Sequence, residues 1–88
     1  MATTDRDLTN ALTDLNAAAG TPLEPLGPNY VWNIGSFIYD KANGGYQLEQ
    51  VVGTSGASRS FGGFGTKLEL LLRIEAMIDG ITVAKGGK

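Results

Sequence analysis

Thr66 stands three residues ahead of Glu69, at the head of the most apolar stretch of the chain and directly after the run Gly62-Gly63-Phe64-Gly65. In a capping box the threonine hydroxyl accepts from the third backbone N–H of a helix, while the acid at that position accepts from the N–H of the cap. This pair therefore fixes where a helix must begin, and the glycines before it read as the turn that ends a strand. At about 100° per residue, Leu70, Leu71, Ile74, Met77, Ile78 and Ile81 share one broad stripe, the predicted core face, and Gly80 is the expected stop. Leu68, Leu72 and Ala76 fall on the opposite side. They form a candidate interface, covered either by an N-terminal helix or by a second copy of the chain in a homodimer.

The other elements follow from similar punctuation. Thr4 and Asp7 make a second capping box. Leu8, Ala11, Leu12, Leu15 and Ala19 recur at helical spacing up to Gly20, so residues 1–20 are the N-terminal helix. Pro22, Pro25 and Pro28 make 21–29 an extended, proline-rich connector, with Leu23 and Leu26 expected to dock on the body. Tyr30 to Tyr39 is rich in β-branched and aromatic residues and predicts a strand, with a bulge at Gly35. Asn43-Gly44-Gly45 signals a hairpin, Tyr46 to Val52 alternates as a strand, Gly53 to Gly56 turns, and Ala57 to Phe61 is a short third strand. The predicted fold is α+β in the order α-β-β-β-α, a three-stranded antiparallel sheet packed on the C-terminal helix. Residues 30–82 hold sheet and helix, and 83–88 form a flexible tail.

Composition narrows the function. Eighty-eight residues suit one small domain. The sequence contains neither cysteine nor histidine, which removes disulfides, thiolate ligands and the commonest general base and zinc ligand. A formal charge of −2 with interspersed signs lacks the basic footprint of a duplex-binding protein. The longest apolar run, Leu70-Leu71-Leu72, is far short of a membrane span, and the start of the chain is unlike a signal peptide. The expectation is a cytoplasmic protein without membrane contact, cofactor or metal.

Three groups of residues merit a functional reading beside a structural one. Gly62, Gly63, Gly65, Thr66 and Lys67, with Arg59, are a candidate anion site at a helix start. The Walker order fails, however, because Thr66 precedes Lys67, and Glu69 competes for the same N–H groups; a plain structural turn explains the glycines more simply. Tyr30, Trp32, Phe37, Tyr39 and Tyr46 lie on adjacent predicted strands, and Trp32, Tyr39 and Tyr46 are candidates for stacking on a nucleic acid or nucleotide. Core packing is the simpler use of these rings. Asp40, Glu49, Glu69, Glu75 and Asp79 show no ligand spacing, and Glu69 with Arg73 reads as an ordinary i, i+4 pair. No catalytic set emerges, so binding rather than catalysis is expected.

The strand Gly44-Gly45-Tyr46-Gln47-Leu48-Glu49-Gln50-Val51, the Ser55-Gly56 turn, and Gly65-Thr66-Lys67-Leu68-Glu69-Leu70 running to Met77-Ile78-Asp79-Gly80-Ile81 resemble small proteins encoded by tailed bacteriophages. Those share a Gly-Gly-aromatic-x-Leu strand followed by a Thr-Lys-x-Glu helix, and the similarity covers residues 30–82. The resemblance implies a phage accessory binding protein in the host cytoplasm, with a host-interaction, regulatory or anti-defence role and a host or phage protein as partner. A nucleic-acid or nucleotide binding module is the alternative. No site residue is carried over by the resemblance.

Overall fold

The computed structural model describes residues 3–86. Helix α1 (Asp5–Ala19) starts on a complete capping box, in which Thr4 N–H donates to Asp7 and Asp7 N–H donates to the Thr4 hydroxyl, and stops at a left-handed Gly20. Helix α2 (Lys67–Ala84) starts on the Thr66–Glu69 box, with N–H to oxygen distances of 2.7 and 3.0 Å. It does not stop at Gly80. The last turn runs through it to Ala84, because Ile81 carries the core stripe one turn further. Of the predicted tail, Val83 and Ala84 are helical, while Gly87 and Lys88 lie outside the described residues.

Three antiparallel strands, β1 (Phe37–Ala42), β2 (Gly45–Val51) and β3 (Ser58–Gly65), form a meander in the order β1-β2-β3. The α-β-β-β-α order is as predicted, with two shifts. The first strand begins at Phe37 and not Tyr30. Residues 30–36 instead belong to the connector, where Asn29 and Tyr30 take φ of 61° and 59°, and Gly35 turns the chain ahead of the strand rather than bulging within it. Asn43 and Gly44, both at positive φ, close the β1–β2 hairpin with Ala42 opposite Gly45, the geometry of a two-residue I′ turn. The second shift is in β3, which continues through the glycines: Leu48 faces Phe61 and Tyr46 faces Gly65, so Gly62, Gly63 and Phe64 bulge opposite Gln47 alone.

Both helices pack on the same sheet face, α2 over β2 and α1 beside β1. They run parallel, since Lys67 reaches Asp5 at the two starts and Lys85 donates to the Ala18 carbonyl at the two ends. Leu8, Ala11, Leu12 and Leu15 of α1 meet Phe37, Tyr46 and Leu48 of the sheet and Leu70 and Ile74 of α2 in one core. The connector folds over one end of the other sheet face. Trp32 N–H donates to Thr54, Gly35 N–H to Val51 and Val51 N–H to Ser36, and Val51 and Ser36 are fully buried there. Its expected pegs are not what holds it: Leu23 and Leu26 are 56% and 38% exposed, and the backbone is fastened by Asn33, which bonds the Glu24 and Pro25 carbonyls. No helix among the described residues is long and apolar enough to cross a membrane.

Candidate functional site

The glycine segment is a place of close packing. A Cβ on Gly62 would lie 2.4 Å from Arg73 Nη1, and one on Gly65 would lie 2.6 Å from Glu69 Oε1. Arg73 donates to the Phe61 carbonyl at 3.0 Å and Glu69 folds back to Thr66, so the expected Glu69–Arg73 pair is replaced by two separate tasks. Gly62 thus makes room for the Arg73 side chain that ties β3 to α2, and Gly65 for the Glu69 carboxylate that caps α2. Gly63 has open space where its Cβ would be. A small polar hollow of about 110 Å³ lies here between Gly63, Phe64, Gly65, Glu69 and Arg73, but the Glu69 carboxylate already takes the Thr66 N–H that an anion would need.

The cations of the predicted set are not gathered there. Lys67 turns to Asp5 at 3.4 Å and lies 5.6 Å from the centre of the Tyr46 ring. Its hydrogen bond to Asp5 raises its pKa above the ordinary value of 10.5, against a smaller lowering by desolvation. Arg59 sits four residues further along the ladder, opposite Gln50, with its guanidinium 4.8 Å from the Phe61 ring.

Nor do the predicted stacking rings share an open platform. Tyr46 is buried and Tyr39 half-buried on the helix-covered face, their centroids 5.7 Å apart. Trp32 lies in the connector, bridged to Leu26 and set against Gly56. The uncovered sheet face carries Asp40, Gln47, Glu49, Ser58 and Ser60, with Ser58 donating to Glu49 at 2.7 Å. Tyr30 is the ring most open to solvent, 85% exposed at the tip of the connector turn.

Leu68, Leu72 and Ala76 do lie together on the outer side of α2, away from α1. Leu68 and Leu72 are each about half exposed, and Val83 continues the row toward the helix end. One edge of the row is acidic: Glu75 flanks it and Asp79 falls on the face itself, between Leu72 and Val83 along the helix; Glu69, Gly80 and Arg73 make the other rim.

A second surface escaped the sequence reading. Between α1, the connector and β1 lies a cavity of about 220 Å³, walled by Leu12, Thr13, Leu23, Pro25, Phe37 and Tyr39. Beside it, buried Asn16 accepts from Phe37 N–H at 2.7 Å and donates to Phe37 C=O at 3.2 Å. The signal for Asn16 was its place one turn after Leu12, inside the apolar stripe and not outside it. In the connector half of the wall, Leu23 is one of the two expected pegs, while its place beside α1 and β1 has no local signal. Comparison of the chain with models of known protein families, with curated proteins and with solved structures gives no match.

Proposed function

We propose that this is a non-enzymatic binding protein whose working surface is the outer face of α2. One observation carries the reading: Leu68, Leu72 and Val83 are 52%, 53% and 71% exposed along a single helix face. Scattered exposed leucines need no explanation, but an aligned row on a well-capped helix offers the i, i+4 anchors by which helices are gripped. The acidic rim selects the partner's chemistry. Antiparallel pairing with a second copy, about a two-fold axis across the helices, brings the acidic rims together, whereas a helix with lysine or arginine beside its apolar stripe complements both features. The resemblance to phage proteins points to a host or phage protein as that partner, in the host cytoplasm, with a regulatory or anti-defence role.

The test is affinity capture from bacterial lysate with the wild-type chain and with Leu72→Asp, alongside the solution mass of each. The expected result is a captured protein with a basic amphipathic helix, lost on Leu72→Asp while the far-ultraviolet spectrum is unchanged. Capture that is indifferent to Leu72, or a dimeric wild type made monomeric by the change, would overturn the hetero-partner reading.

A further inference from the structure

β1 is an edge strand, and its outer side is only partly closed. The bond from Val51 N–H to Ser36, and the two-residue turn between Ala42 and Gly45, make Ile38–Glu49, Asp40–Gln47 and Ala42–Gly45 the hydrogen-bonded pairs of the β1–β2 ladder. The N–H and C=O groups of Phe37, Tyr39 and Lys41 therefore point away from β2. At Phe37 the Asn16 carboxamide meets both groups, donor to acceptor and acceptor to donor, as a neighbouring strand would. Beyond it, Tyr39 and Lys41 present the same pair of groups with no hydrogen-bond partner among the described residues. The cavity opens beside this free stretch. Its α1 wall is effectively apolar, because the Thr9 and Thr13 hydroxyls donate to carbonyls of their own helix.

From this arrangement we infer that the β1 edge is a docking site for an extended peptide segment of another protein, which adds as a fourth strand and places one apolar side chain in the cavity. An unpaired row of donors and acceptors is specific for extended backbone, and an adjacent pocket selects a side chain of that strand. A second copy is disfavoured in each symmetric register. Antiparallel pairing of two β1 edges through Tyr39 and Lys41 sets the two Asp40 carboxylates opposite each other, centring on Lys41 opposes two ammonium groups, and centring on Tyr39 sends Lys41 to Phe37, which Asn16 already holds. A foreign strand with a basic residue beside Asp40 and an acidic one beside Lys41 meets neither obstacle. The site is independent of the α2 row, on a different side of α1 and the sheet.

The probe is a display library of random linear 12-residue peptides selected on the immobilised full-length chain. Selected peptides should have an apolar residue flanked by β-formers and shift the amide signals of Tyr39 and Lys41 together with the methyl signals of Leu12 and Leu23. N-methylation of the amide that meets the edge should weaken binding tenfold or more. Lys41→Pro should do the same, since it removes one outward N–H and leaves the β1–β2 ladder intact. Selection of no binder, binders that shift only residues 68–83, indifference to N-methylation, or a concentration-dependent mass accompanied by shifts at Tyr39 and Lys41 in the peptide-free protein would each overturn the inference.

Discussion

Asn16 and Ser36 are both buried polar residues, and they do opposite things. The Asn16 side chain is 2% exposed, pairs with both backbone groups of Phe37, and also accepts from the Thr21 hydroxyl at 2.7 Å. It joins the end of α1 to the start of β1 and the connector in one residue. Ser36 is fully buried, and its hydroxyl has no partner among the described residues. Leaving a buried donor or acceptor unpaired costs about 1–3 kcal/mol, whereas removing a polar group that has no partner costs nothing of the kind. Asn16→Leu keeps the branching and the number of heavy atoms, in a somewhat larger side chain, and strands two groups of Phe37, so it should lower the unfolding free energy by about 3 kcal/mol. Ser36→Ala should be neutral or stabilising. Urea denaturation checks both, and a loss under about 0.5 kcal/mol for Asn16→Leu would show that water serves Phe37 as well as the carboxamide does. The sequence could not weigh these two residues, since both are small and polar and only the fold supplies or withholds the partner.

At the scale of elements, what was legible is what short-range chemistry decides. Both helix starts and the Asn43-Gly44 turn depend on residues within four positions, and each lies where its local signal placed it. The first strand was displaced because aromatic and β-branched residues report burial without saying whether a ladder or a tied connector supplies it. From local sequence the glycine run reads as a turn, because its pairing with Tyr46, across the sheet, is invisible locally. The Leu68 row was legible as an apolar stripe, and the β1 cavity was not, because its walls come from three elements far apart in sequence. One contact between elements makes a pH prediction. The hydrogen bond to Asp5 raises the Lys67 pKa, so the pair's contribution is complete below the ordinary value of 10.5 and fades as pH climbs through the higher folded-state value. Lys67→Met should therefore be less stable than wild type at pH 9, with the gap closing above pH 10.5. The informative quantity is the difference between the two proteins across the titration. A difference that stays constant through that window would mean that Lys67 acts by packing on Tyr46 and not by charge.

For the molecule as a whole, the decisive fact is that α1 is part of the core and not an appendage to residues 30–82. Leu8 and Leu15 are fully buried and Leu12 nearly so, all against the sheet and α2. Fully burying a leucine contributes about 1.5–3 kcal/mol, so three of them account for roughly 5–9 kcal/mol. A domain of this size has a net stability of the same order, about 0.05–0.15 kcal/mol per residue. Removing α1 also exposes Phe37 and leaves its two backbone groups without Asn16. The fragment 21–88 should consequently lack cooperative thermal unfolding and bind a hydrophobic dye, while the resemblance-bearing segment alone should be no better. Because Gly20 ends α1 cleanly and the connector is held by its own hydrogen bonds, the helix should dock as a separate piece. Adding a peptide of residues 3–20 to the fragment should restore dispersed amide signals, with an apparent affinity that Leu15→Asp in the peptide abolishes. A fragment that folds without the peptide would place the stability in sheet and α2 alone. It would also free α1 to be exchanged between copies, which the parallel seating of the two helices in a single chain otherwise makes unnecessary.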